Sequence, residues 1–128
     1  MKTKLLFVLM ISFLLGASSL SSQSNAYKLA VLEKGGYVSE DDLLVKRFNY
    51  LLIQVNNQYE ESQQQICDMT YKMKEMALGS GIKLSMEKAM EGAMQVRGKS
   101  YTNYCARYIT LMQKGYKHDE IISTLKLL

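Results

Sequence analysis

The 128-residue chain contains no proline and no tryptophan, only one histidine and only two cysteines. Without proline no position is barred from a helix interior, so helix ends must come from glycines and capping side chains. A lone histidine, His118, offers neither a histidine-based metal set nor a partner for acid–base relay. The two cysteines have no Cys-x-x-Cys spacing, which excludes the usual redox and zinc motifs. Sustained period-two alternation of apolar residues is also missing, which excludes an exposed sheet. Neither charge sign dominates strongly: 16 Lys and Arg stand against 12 Asp and Glu.

The one long apolar run is Leu5 to Leu15, broken only by Ser12. It is shorter than the roughly 20 residues a spanning helix needs, so no integral membrane anchor is expected. Lys2 and Lys4 precede it, and a small, polar stretch ending Ser24-Asn25-Ala26 follows. A basic start, an apolar centre and small residues at −3 and −1 make residues 1–26 a secretory signal peptide. A cut after Ala26 leaves 102 residues with 14 basic and 12 acidic side chains, a net charge of +2. That near balance argues against nucleic acid as a partner. The expected location is periplasmic or extracellular.

Export places Cys67 and Cys105 in an oxidising compartment, where a single intramolecular disulfide is expected. Closing a loop of that length would contribute about 4 kcal/mol.

Residues 27–38, with Gly35 and Gly36, read as a flexible N-terminal arm. Residues 39–128 read as one helical domain. Ser39-Glu40-Asp41-Asp42 opens the first helix, with Leu44, Phe48, Leu51, Leu52 and Val55 on one face. Ser62 with Gln65 forms a capping box ahead of Ile66, Met69, Thr70, Met73 and Ala77. Ser85 begins a third helix carrying Met86, Ala89, Met90, Ala93 and Met94; Gly92 inside it implies close helix approach or a kink. Tyr101, Tyr104, Cys105, Tyr108 and Met112 mark a fourth, and Asp119-Glu120 starts a last one with Ile121, Ile122, Leu125 and Leu128. The expected fold is therefore all-α: a small bundle of four to five antiparallel helices with one disulfide.

Motifs that carry catalysis are lacking. Gly92 to Ser100 has five residues between its glycines rather than the four of a phosphate loop, and it lies in a helical pattern. Tyr108 to Leu125 has the outline of a helix-turn-helix, but its second helix lacks side chains that read base edges. Asp119 points away from His118 along a helix. The acidic pairs Asp41-Asp42 and Glu60-Glu61 sit at helix starts, where the helix dipole accounts for them.

Three features stand out. Met69 and Met73, and Met86, Met90 and Met94, recur at helical spacing. Core packing is the plainest reading. A methionine-lined groove for a partner helix, a lipid or another apolar small molecule is the next. A Cu(I) site suits thioether sulfur, though the single histidine and the sparse methionine spacing beyond Met73/Met76 weigh against it. Tyr101, Tyr104 and Tyr108 share a face with Cys105, as expected for rings packed around the disulfide. Lys83, Lys88, Arg97, Lys99 and Arg107 form a basic face interrupted by only two acids, a dock for an acidic partner or surface.

The expectation for function is an exported, non-catalytic binding protein that inhibits, protects, chaperones or adapts another exported protein. The alternative is a carrier of an apolar small molecule or of a soft metal ion such as Cu(I). No enzyme activity, resident cofactor, resident metal or nucleic-acid partner is expected.

Overall fold

The computed structural model describes residues 24–128. The leader expected over residues 1–26 thus falls almost wholly outside the described residues. Six helices make up the described chain: α1 (Asn25–Lys34), α2 (Leu43–Gln58), α3 (Gln63–Gly79), α4 (Met86–Ala93), α5 (Tyr101–Gln113) and α6 (His118–Lys126). No strand occurs among the described residues, so the all-α expectation holds, with one helix more than expected.

The extra helix is α1, in place of the expected flexible arm. Ala26, Leu29 and Ala30 fall on one helical face and are almost wholly buried. The glycine pair that suggested a loop is instead the helix stop: Gly35 adopts φ 74°, and its N–H donates to Val31 O. Val38, just beyond, is buried too. α1 packs on α2 and α3, so this segment belongs to the core.

Capping sets the other boundaries. Ser62 Oγ accepts from Gln65 N at 3.2 Å, and Gln65 Oε1 accepts from Ser62 N at 2.9 Å, the reciprocal box expected from sequence. Ser85 and Ser100 cap α4 and α5 through Lys88 N and Asn103 N. At α2 the cap is Asp42, which accepts from Leu44 N, rather than Ser39, whose hydroxyl bonds Asp41. The left-handed glycine after α3 is Gly81, with φ 73°, rather than Gly79.

Leu29, Phe48, Leu51, Leu52, Ile66, Met73, Met86, Met90, Tyr101, Tyr108 and Ile121 fill the centre, each almost completely buried. Gly92 sits where α4 meets α5 and α6. A methyl group there would overlap Ile122 Cδ1 and approach the Tyr104 hydroxyl to 2.8 Å. Close approach is therefore the reason for a glycine in mid-helix. Gly92→Ala should destabilise by about 1–2 kcal/mol, the overpacking cost less the gain in helix propensity. Thermal unfolding checks this, and a raised midpoint would refute it.

No disulfide joins the helices. Cys67 and Cys105 are both buried free thiols, and they are not near each other. The cause is helical phase. Cys105 belongs to the side of α5 that meets Met69 and Met73 of α3. Cys67 lies two residues before Met69, about 200° round the helix, and its Sγ lies 4.0 Å from Asn25 O of α1. Both cysteines belong to apolar stripes, but the stripes face different neighbours. Burial pushes both thiols up to about 12, so neither is a ready nucleophile.

Candidate functional site

The connection between α4 and α5 is an ordered loop that carries two cations. Gln58 Nε2 donates to Val96 O at 2.6 Å and to Ala93 O at 3.2 Å. The buried Tyr59 hydroxyl reaches Ala93 O at 2.7 Å and Val96 O at 3.1 Å. Glu60 N donates to Lys99 O at 2.9 Å. Three consecutive residues at the end of α2 thus hold residues 93–99 in one shape.

Arg97 and Lys99 of this loop and Arg107 of α5 line one cleft of about 230 Å³, together with Tyr59, Tyr104, Ser100 and Asn103. All three cations are exposed, and none forms an ion pair among the described residues. Lys83 and Lys88 do not join them. They line a separate cleft with Tyr108, Tyr116, Lys117 and His118. The expected single basic face is therefore two faces, because α4 ends at Ala93 and the chain turns before Arg97.

Behind the cleft stands Glu61. Its carboxylate accepts from Tyr101 N and Thr102 N, both at 2.8 Å, and from Ser100 Oγ at 3.2 Å. Burial alone would raise its pKa, but the N–H groups of Thr102 and Tyr101 hold it at about 2. Glu61 therefore caps α5, a helix distant in sequence, instead of the helix it precedes. Glu33 does the same for α4, accepting from Met86 N at 3.0 Å, Glu87 N at 2.8 Å and Ser85 Oγ at 3.2 Å, with Lys74 Nζ at 3.3 Å. Neither role was legible in the sequence, because the capped N–H groups lie 40 and 53 residues or so further on.

Five rings run through the core: Tyr59, Tyr101, Tyr104, Tyr108 and His118, with successive centroids 5.7, 5.8, 5.7 and 5.9 Å apart. The expectation of tyrosines around a disulfide is replaced by tyrosines packed on one another. Each hydroxyl has a partner: Thr70 Oγ1 for Tyr101, Ala89 O for Tyr104, His118 Nδ1 for Tyr108. Burial pushes all four phenols above their ordinary value, Tyr59 and Tyr108 to about 12. His118 is thereby a structural partner of Tyr108.

The methionines separate. Met86 and Met90 are fully buried in the core, Met94 packs against it, and none of the three lines the cleft that Met69 and Met73 border. Met69 and Met73 do line a small cleft of about 210 Å³, between α3 and α5. Two other sulfur residues line it with them, Met76 and Cys105. Met76 follows Met73 by three residues and so shares its face.

No protein-family model, curated protein or solved structure matches this chain. No group of three or more His, Cys, Asp or Glu among the described residues is placed to hold a metal ion. No helix among them is long and apolar enough to cross a membrane.

Proposed function

We propose that this is an exported, non-catalytic binding protein whose basic cleft receives an acidic segment of another exported protein. One observation carries the reading: Arg97, Lys99 and Arg107 converge on a loop and helix that are already rigid, and none of them has an internal counter-charge among the described residues. Unpaired cations held close together repel one another, and a carboxylate-bearing partner relieves that repulsion. Tyr59 and Tyr104 line the cleft beside the charges, with most of each ring in the core. The N–H groups of Tyr101, Thr102 and Asn103 are already satisfied by Glu61 and Ser100, so the partner is held by side chains. The non-catalytic reading draws support from Glu33, Glu61 and His118, each engaged in holding the fold.

Export rests on the N-terminal sequence. Helix α1 bears on where the leader ends: a cut after Ala26 would remove Ser24, whose Oγ accepts from Tyr27 N at 3.1 Å, and the buried Ala26. It would also put an α-amino cation at the positive end of the helix. The reading therefore moves the cut upstream of Ser24, and Ala17-Ser18-Ser19 offers small residues at −3 and −1.

A photo-crosslinking residue at Asn103, which lines the cleft, tests the proposal against one at Asn49 on the exposed side of α2. The expected result in the native host is a protein adduct from position 103 and none from 49. The adduct should weaken with salt and fall at least about tenfold in Arg97→Glu/Lys99→Glu/Arg107→Glu. The isolated protein should lack the apolar run ending at Leu15 and begin no later than Ser24. An adduct indifferent to the triple reversal, or equal adducts from both positions, overturns the reading.

A further inference from the structure

We infer that the cleft between α3 and α5 is a binding site for a soft monovalent cation, Cu(I), built from Met69, Met73, Met76 and Cys105. This goes beyond the basic cleft, and either can fail without the other. Four of the ten residues lining this 210 Å³ space carry sulfur. The three methionines stand at i, i+4 and i+7, which aligns them along one face of α3, and Cys105 comes from the facing helix. Thiolate and thioether ligands without imidazole or carboxylate select Cu(I) over zinc and over harder ions. Of the other six lining residues, Ala106 and Ile109 are apolar and stand on α5 opposite the methionines, and Lys72, Thr102, Thr110 and Gln113 are polar without being carboxylate or imidazole.

Accessibility follows a gradient that suits loading from solvent. Met76 is 51% exposed, Met69 is half-buried, and Met73 and Cys105 lie at the floor, each 2% exposed. Cys105 has no disulfide partner; its thiol is hydrogen-bonded to the Tyr101 hydroxyl, a contact that ligation would exchange for the metal. Met73 packs in the core and Met76 does not, which explains why a core role alone leaves the outer methionine unaccounted for. Methionine side chains are flexible enough to draw together around a small ion. On binding, Cu(I) leaves its donor ligands, a Cu–S bond forms at Cys105, and the thiol proton passes to the buffer; copper stays in the +1 state throughout. The resulting ion–thiolate pair is neutral, so the exposed Lys72 on the rim opposes it little.

The test is anaerobic titration of the purified protein with Cu(I) acetonitrile complex against a chromophoric Cu(I) chelator, with native mass spectrometry for stoichiometry. One Cu(I) per chain is expected, accompanied by an ultraviolet thiolate-to-copper charge-transfer band, with no retention of Zn(II). Met69→Leu/Met76→Leu conserves side-chain volume at partly exposed positions and should fold normally. It should weaken Cu(I) binding at least about tenfold while leaving the melting temperature of the metal-free protein unchanged. Cys105→Ser should abolish the charge-transfer band. Binding below one equivalent, or an affinity unaltered by the double methionine variant, overturns the assignment.

Discussion

Truncating Tyr101 to alanine is expected to lower the stability of the protein by about 4 kcal/mol, the middle of the range for removing a buried aromatic side chain. Tyr101 is completely buried and lies at the junction of the ring series, against Tyr59 edge-on and Tyr104 face-on. Its loss opens a cavity that the neighbouring rings, each tied by its hydroxyl, are poorly placed to fill. Against a total of about 5–15 kcal/mol for a domain of this size, that is enough to populate unfolded chain under mild denaturant. Tyr101→Phe separates packing from hydrogen bonding. It removes the 2.6 Å bond to Thr70 Oγ1 and the contact with the Cys105 thiol, and Thr70 keeps its bond to Ile66 O, so the cost should be about 1 kcal/mol. Urea titrations of both variants give the comparison. A phenylalanine variant as unstable as the alanine one would contradict the packing argument.

Replacing Glu61 by alanine should cost about 3 kcal/mol. The carboxylate accepts three hydrogen bonds at the start of α5, two of them from N–H groups that then lose their partner, one at the fully buried Tyr101. The same bonds hold the carboxylate at about 2 in the fold against an ordinary 4.5, a shift of about 3 kcal/mol in favour of the ionised, folded form. The sign determines the pH profile. The folded value lies below the unfolded one, so this contribution is fully present above about pH 5. It falls as pH drops through 4.5 and is gone below about 2. Wild-type protein should therefore lose stability steadily from pH 5 to pH 2, and Glu61→Gln should flatten that slope while lowering the neutral plateau. A Glu61→Gln variant with the wild-type acid limb would show that other carboxylates carry it.

The capping box at Ser62 and Gln65 was legible because both partners lie within one helical turn. The same holds for the apolar faces of α2 and α3, for Ser85 at the start of α4 and for the tyrosines sharing one side of α5. Glu61 was visible only as a charge near a helix start, and the sequence pattern assigns it to the nearer helix. Cys67 and Cys105 were expected to pair because export would place both in an oxidising compartment, yet neither a shared compartment nor an apolar stripe names the neighbour that buries each sulfur. The methionine spacing had the same ambiguity. Met86 and Met90 repeat at four residues as Met69 and Met73 do, and the first pair went to the core while Met73 also borders a cleft.

Local order was written in the chain itself: where five of the helices run, which of their faces are apolar, and that no sheet competes. These depend on periodicity and on bonds spanning three or four residues, which a linear reading contains. The tertiary structure alone decided that residues 25–34 form a sixth helix within the core, that the sulfurs stay apart, that Glu33 and Glu61 terminate helices far along the chain, and that Arg97 and Arg107 share a cleft from which Lys83 and Lys88 are excluded. Each of those outcomes depends on the rotation of one helix against another, and a turn of about 100° per residue lets a shift of one or two positions exchange one neighbour for the next.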